Sequence, residues 1–206
     1  MPTKTFYNLP ADKREKLMAA ICSELSRAPV DEISINKIVR AAEIPRGSFY
    51  QYFENKGDML RYLLLEYRSL LFDCAHESLK SNGGDLFQML IDIFDFTYVY
   101  VMEDHIFFKN LFSDIRIDIG FYTREATESI FQGLMEEIAP DVNKGQLNVQ
   151  GEADFGNMCD MLLLITGEAF ASTFLDTSQQ RSTREKYITK LEILKRGFVN
   201  TQKSTD

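Results

Sequence analysis

The 206-residue sequence is 45% hydrophobic and includes 16 Phe and 9 Tyr, enough for a real core, which excludes a disordered chain. Its formal charge of −8 excludes a uniformly basic polyanion binder, and apolar runs such as 161–165 are too short to span a bilayer. The charge is uneven. Residues 1–60 hold nine Lys/Arg against eight Asp/Glu, whereas residues 61–206 hold 14 against 23, so only the first part suits phosphates.

The N-terminus "MPTKTFYNLPADKREK" lacks an apolar run, so no signal peptide is expected. Cys22, Cys74 and Cys159 are odd in number, far apart and set among apolar neighbours. They read as buried free thiols in a reducing compartment, which implies a cytoplasmic protein.

The first helix is expected to start near Pro10–Asp12, with Leu17, Ala20, Ile21 and Leu25 on its apolar face, and to close by residue 28, before Pro29. Ser34 can cap a second helix whose buried stripe is Ile35, Ile38, Val39 and Ala42. Pro45 fits the first turn of a short third helix, about 45–52. Asn55 can cap a longer fourth helix running to about residue 80, with Asp58 as a favourable acidic residue in its first turn. "SNGG" (81–84) breaks the chain. Helical patterns follow at 85–103, about 104–117, 121–138, 153–175 and 182–198, with a polar tail from 199. No strand pattern or repeat is present. The expected fold class is all-α, with a helix-turn-helix domain over 10–54 and a second helical domain over 55–198, connected by the helix 55–80.

Three short helices within 12–53, two of them joined by a three-residue break, match helix-turn-helix geometry, in which the third helix enters the major groove. Gly47 has no side chain, so backbone and phosphate can approach. Arg46 can reach a base edge or a phosphate. Ser48 and Gln51 can give and accept hydrogen bonds, and Tyr50 and Tyr52 offer hydroxyls on rigid rings. Lys56 can grip a phosphate at the start of the next helix. Phe49 and Phe53, four apart, should face inward.

"PRGSFYQYFENKGDML", preceded by "ISINKIVRAAEI", resembles the N-terminal domain of the tetracycline-repressor (TetR) family of bacterial regulators. The resemblance spans about residues 12–65. It implies DNA-surface positions at Ser34, Arg46, Gly47, Ser48, Tyr50, Tyr52 and Lys56, to which helix geometry adds Lys37 and Gln51. It also implies a homodimer that reads a palindromic double-stranded operator and a C-terminal domain that holds a small-molecule effector. One departure is Glu43, where the family usually has Gly in the turn. Strain there and a carboxylate near the DNA side predict weaker non-specific binding with the fold retained.

The aromatic run over 86–122 either fills a core or lines a cavity for an apolar or aromatic effector. The candidate pocket residues are Phe87, Phe94, Tyr98, Phe108, Phe112, Phe121 and Tyr122. The last two helices form the natural dimer surface by resemblance, through Leu162, Ile165, Ala169, Phe174, Tyr187, Leu191 and Leu194. His76 and His105 are too isolated for a metal site, and no nucleophile–base pair or glycine-rich phosphate loop is present. No cofactor, catalysis or membrane association is therefore expected. The competing interpretation is a dimeric helical protein-interaction module without DNA binding.

Overall fold

A computed structural model describes residues 2–100, 133–175 and 180–199. Its elements are α1 (Lys4–Tyr7), α2 (Ala11–Arg27), a 3-10 turn (Val30–Glu32), α3 (Ile35–Ala41), α4 (Arg46–Tyr52), α5 (Lys56–Asn82), α6 (Leu86–Val99), α7 (Glu152–Leu175) and α8 (Gln180–Phe198). Residues 133–138 are also helical. Among the described residues there is no strand, and a single antiparallel bridge joins Leu147 to Val199. The chain is all-helical, as its periodicity predicts. The segment expected at about 104–117, and residues 121–132 of the next, lie outside the described residues.

Two compact units are present: Met1–Ser69 with Val99–Ile130, and Leu70–Tyr98 with Phe131–Asp206. The division falls within α5, which contributes to both.

In the first unit, α2 buries Leu17, Ala20, Ile21 and Leu25 and stops at Arg27. Ala28 takes φ −132° and ψ 148°, the extended conformation demanded of a residue before proline. Pro45 stands one position earlier than expected: it is the extended residue preceding α4. Asn55 caps α5 by accepting the Asp58 N–H at 2.9 Å, and the Asp58 carboxylate accepts the Glu54 N–H at 3.2 Å. Phe6, Phe49 and Phe53 are fully buried; Phe53 packs on the other two, and Phe6 and Phe53 both pack on Tyr62. Helix α1, unexpected from the sequence, places Phe6 in that cluster.

In the second unit, Asp85 caps α6 by accepting the Phe87 and Gln88 N–H groups at 2.9 and 3.2 Å. Gly83 and Gly84 have φ of 72° and 84°. Gly84 also touches the loop at Asn143, whose N–H donates to the Gly84 carbonyl at 3.0 Å, and a Cβ here would sit 2.6 Å from the Asn143 nitrogen. Helices α6 and α8 run antiparallel. Lys195 pairs with Asp85, the Tyr187 hydroxyl donates to the Leu90 carbonyl, and Arg184 forks onto Asp95. The ring of Phe94 packs against both Phe170 and Tyr187.

Candidate nucleic-acid interface

The turn between α3 and α4 explains how Glu43 is tolerated. Its φ is 54°, in the left-handed region that favours glycine. The Glu43 N–H donates to the Arg40 carbonyl at 3.2 Å, and the Ile44 N–H to the Val39 carbonyl at 3.0 Å. That pair of bonds is a Schellman ending with Glu43 in the glycine position. The exposed Glu43 carboxylate pairs with Lys16 of α2, and this bond lowers its pKa. The turn therefore keeps its shape, and part of the carboxylate charge is answered by Lys16.

A second carboxylate holds α3. Glu24 is buried on the inward face of α2, where it accepts from Arg27 at 2.7 and 3.0 Å and from the Ser34 N–H at 3.1 Å. Burial pushes its pKa up. The Arg27 and Ser34 hydrogen bonds, with the charges of Arg27 and Lys37, outweigh that and leave it lowered. Ser34 does stand at the helix start, but its side chain makes no capping bond; its backbone N–H is held by Glu24 instead. The signal in the sequence was a charged residue on the same stripe as Leu17, Ile21 and Leu25.

Helix α4 presents one face outward and one inward. Phe49 is fully buried, whereas Arg46, Gly47, Tyr50 and Gln51 are exposed and Ser48 and Tyr52 are half-buried. No heavy atom outside its own local backbone lies within 4 Å of a Cβ built on Gly47, so nothing inside the protein requires glycine there. Lys37 is exposed on α3. Lys56 is half-buried, and its ammonium donates to the Val30 and Asp31 carbonyls at 3.1 and 3.0 Å. Two of its three donors thus fasten the start of α5 to the turn before α3. A short exposed helix carrying a cation and hydrogen-bonding side chains, braced by two others, can enter a duplex groove.

The family model described as bacterial regulatory proteins, tetR family, matches residues 17–63. A second, described as tetracyclin repressor-like, C-terminal domain, matches residues 85–198, more than half of the chain. The chain belongs to the TetR family. It is a DNA-binding transcriptional regulator. No curated protein sequence matches it significantly. Among solved structures, SmeT, the repressor of the Stenotrophomonas maltophilia multidrug efflux pump SmeDEF, is 15% identical; the match covers 97% of this chain and 95% of that one, with a TM-score of 0.70. Reduced NemR of Escherichia coli is 17% identical over 94% of this chain and 100% of that one, with a TM-score of 0.67. A TetR family regulator from Chloroflexus aurantiacus is 23% identical over 97% and 99%, with a TM-score of 0.54. At these identities the likeness is one of fold.

In this TetR chain the residues expected at a pocket divide. Phe87 and Phe94 are buried, the first under the Lys195 ammonium and the second between two rings, whereas Tyr98 is half-buried. Phe108, Phe112, Phe121, Tyr122 and His105 lie outside the described residues. Of the residues expected at a dimer surface, Leu162, Ala169, Tyr187 and Leu191 are buried within the unit, and Ile165 and Leu194 are half-buried. The side chain of Phe174 lies outside what is described. Among the described residues of these two helices the exposed large apolar side chains are Met161, Leu164, at 75% exposure, and Ile193.

His76 lies 2.6 Å from Asp141 and 3.7 Å from Glu137. Among the described residues no group of three or more such side chains is arranged to hold a metal, and no helix is long and apolar enough to cross a membrane. Burial pushes Cys22, Cys74 and Cys159 up to about 11, so all three thiols stay protonated at neutral pH.

Proposed function

We propose that the protein is a homodimeric repressor that reads a palindromic operator with α4 and releases it when a small apolar or aromatic effector enters the C-terminal domain. The observation that carries the reading is the two-sidedness of α4: Phe49 anchors it, while Arg46, Gly47, Tyr50 and Gln51 are left to solvent. Arg46 reads a base edge or phosphate. Ser48, Gln51 and the tyrosine hydroxyls bond bases and backbone, and Lys37 and Ser34 contact phosphates from α3. Lys56 lends its remaining donor to a phosphate while holding the turn before α3. Dimerisation uses the outer side of α7 and α8, where Met161, Leu164 and Ile193 stand exposed. One short helix reads few bases, and two held at fixed spacing read a two-fold site. Effector control requires different affinities for the operator-bound and released states.

The test is fluorescence anisotropy on a duplex enriched from a random pool by the wild-type protein, against a scrambled duplex, at two salt concentrations. Arg46→Ala is expected to lose roughly tenfold or more on the enriched duplex, one to three kcal/mol for a lost base contact. Equal binding of both duplexes by the wild type would overturn operator reading.

A further inference from the structure

The recognition helix has only seven residues, and a helix that short is not stable by itself. Its final carbonyls have no partner within the helix. Phe49 is served by the Phe53 N–H at 2.9 Å. The last two carbonyls are served from the far N-terminus: the Thr3 N–H donates to Tyr52 at 3.0 Å, and the Thr3 hydroxyl to Gln51. Three residues on, Phe6 is fully buried, with its ring 5.0 Å from Phe53, 5.0 Å from Tyr62 on α5 and 6.5 Å from Tyr52. The same short segment therefore closes the end of α4 and wedges that end against α5.

We propose that Thr3–Tyr7 is a clamp that sets the pose of α4 for base reading, with Thr3 and Phe6 as positioning residues that touch no DNA. The inference rests on α4 being the operator-reading helix. Phe49, with Phe53 just past the helix end, sets where α4 sits in the core. The Thr3 bonds and the Phe6 ring fix the tilt of the end opposite Arg46. Base-edge hydrogen bonds depend steeply on distance and angle, so they feel a tilt of the helix. Phosphate attraction is long-ranged and does not. Loss of the clamp must therefore lower specificity while sparing general DNA affinity.

Thr3 has φ −74° and ψ 163°, which proline can adopt, so Thr3→Pro removes both donors without forcing the backbone. Thr3→Ser keeps both donors and is the rescue control. Phe6→Ala also opens the aromatic core, so the proline variant decides. Anisotropy is measured on a duplex enriched from a random pool by the wild-type protein and on a scrambled one, well below each variant's unfolding midpoint. Thr3→Pro is expected to bind the enriched duplex about tenfold more weakly. On the scrambled duplex it should stay within about twofold, with an unchanged salt slope. Thr3→Ser should match the wild type on both. Wild-type affinity of Thr3→Pro for the enriched duplex overturns the clamp, as does equal weakening on both duplexes. A wild-type protein that enriches no sequence removes the operator reading itself, and the clamp with it.

Discussion

Gly47 and Glu43 invert the usual expectation for their positions. Gly47 sits in a helix with open space where a Cβ would go, so alanine should fit the free protein and favour the helix by up to about 1 kcal/mol. Gly47→Ala is therefore expected to raise the unfolding midpoint slightly and to weaken operator binding, read by thermal melts and anisotropy. Unchanged operator affinity would mean that no DNA atom comes close to this backbone. Glu43 is the reverse: a side chain where the backbone favours glycine, with φ at 54°. Glu43→Gly relieves that strain and loses an exposed ion pair, which contributes little. A gain of a few degrees in melting temperature is expected. The substitution also frees Lys16 and removes a carboxylate, so affinity for scrambled DNA at low salt should rise. A fall in melting temperature would show that the Lys16 bond outweighs the strain.

Polar contacts that cross the chain tie the elements of the first unit to one another. Glu24 ties α2 to the start of α3, Lys56 ties α5 to the turn before α3, and Thr3 ties the N-terminus to α4. Glu24 makes a pH prediction. Its folded pKa lies below its unfolded value, which is about 4.3 for glutamate. Its contribution is therefore complete above the unfolded pKa and lost as pH falls through the folded one. Glu24→Gln should be less stable than the wild type at pH 7, and the difference should shrink between about pH 5 and pH 3. Urea midpoints across that range measure it; a difference that stays constant would show that the carboxylate's charge is not what holds α3.

For the whole molecule, charge and assembly govern how DNA is engaged. The excess of acidic residues lies beyond residue 60, so the part of the chain that carries the helix-turn-helix is the part whose charge suits a duplex. The proposed dimer rests on the outer side of α7. Met161, Leu164 and Ala171 lie along one exposed line of that helix, while Leu162 and Ala169 are buried. Leu164→Glu puts a charge at the most exposed of these positions. Light scattering should show a monomer where the wild type is a dimer, and affinity for a two-half-site duplex should fall by well over tenfold, because the second helix no longer adds its contacts. The free monomer's melting curve should barely move, since Leu164 packs little within the chain. A dimer that survives Leu164→Glu would place the interface elsewhere.

Much of this was legible in the sequence because the signals were local. Leu17, Ile21 and Leu25 mark a helix face by spacing alone, Pro29 limits α2, Asn55 caps α5, and the paired glycines 83 and 84 end it. The order of residues from Pro45 to Lys56 carried the family. Resemblance placed Leu162, Ala169, Tyr187 and Leu191 at a surface for a partner; spacing could not say which neighbour covers an apolar stripe, and their own unit buries them. Nor could it assign the Lys56 ammonium to the Val30 and Asp31 carbonyls, or find Thr3 at the end of α4. Helix propensity, capping and breaking act over a turn or two of chain, so the sequence by itself determined the helices and the recognition motif. The bonds that fasten α3, α4 and the start of α5 join residues 10, 48 and 26 positions apart, and only the tertiary structure decided those.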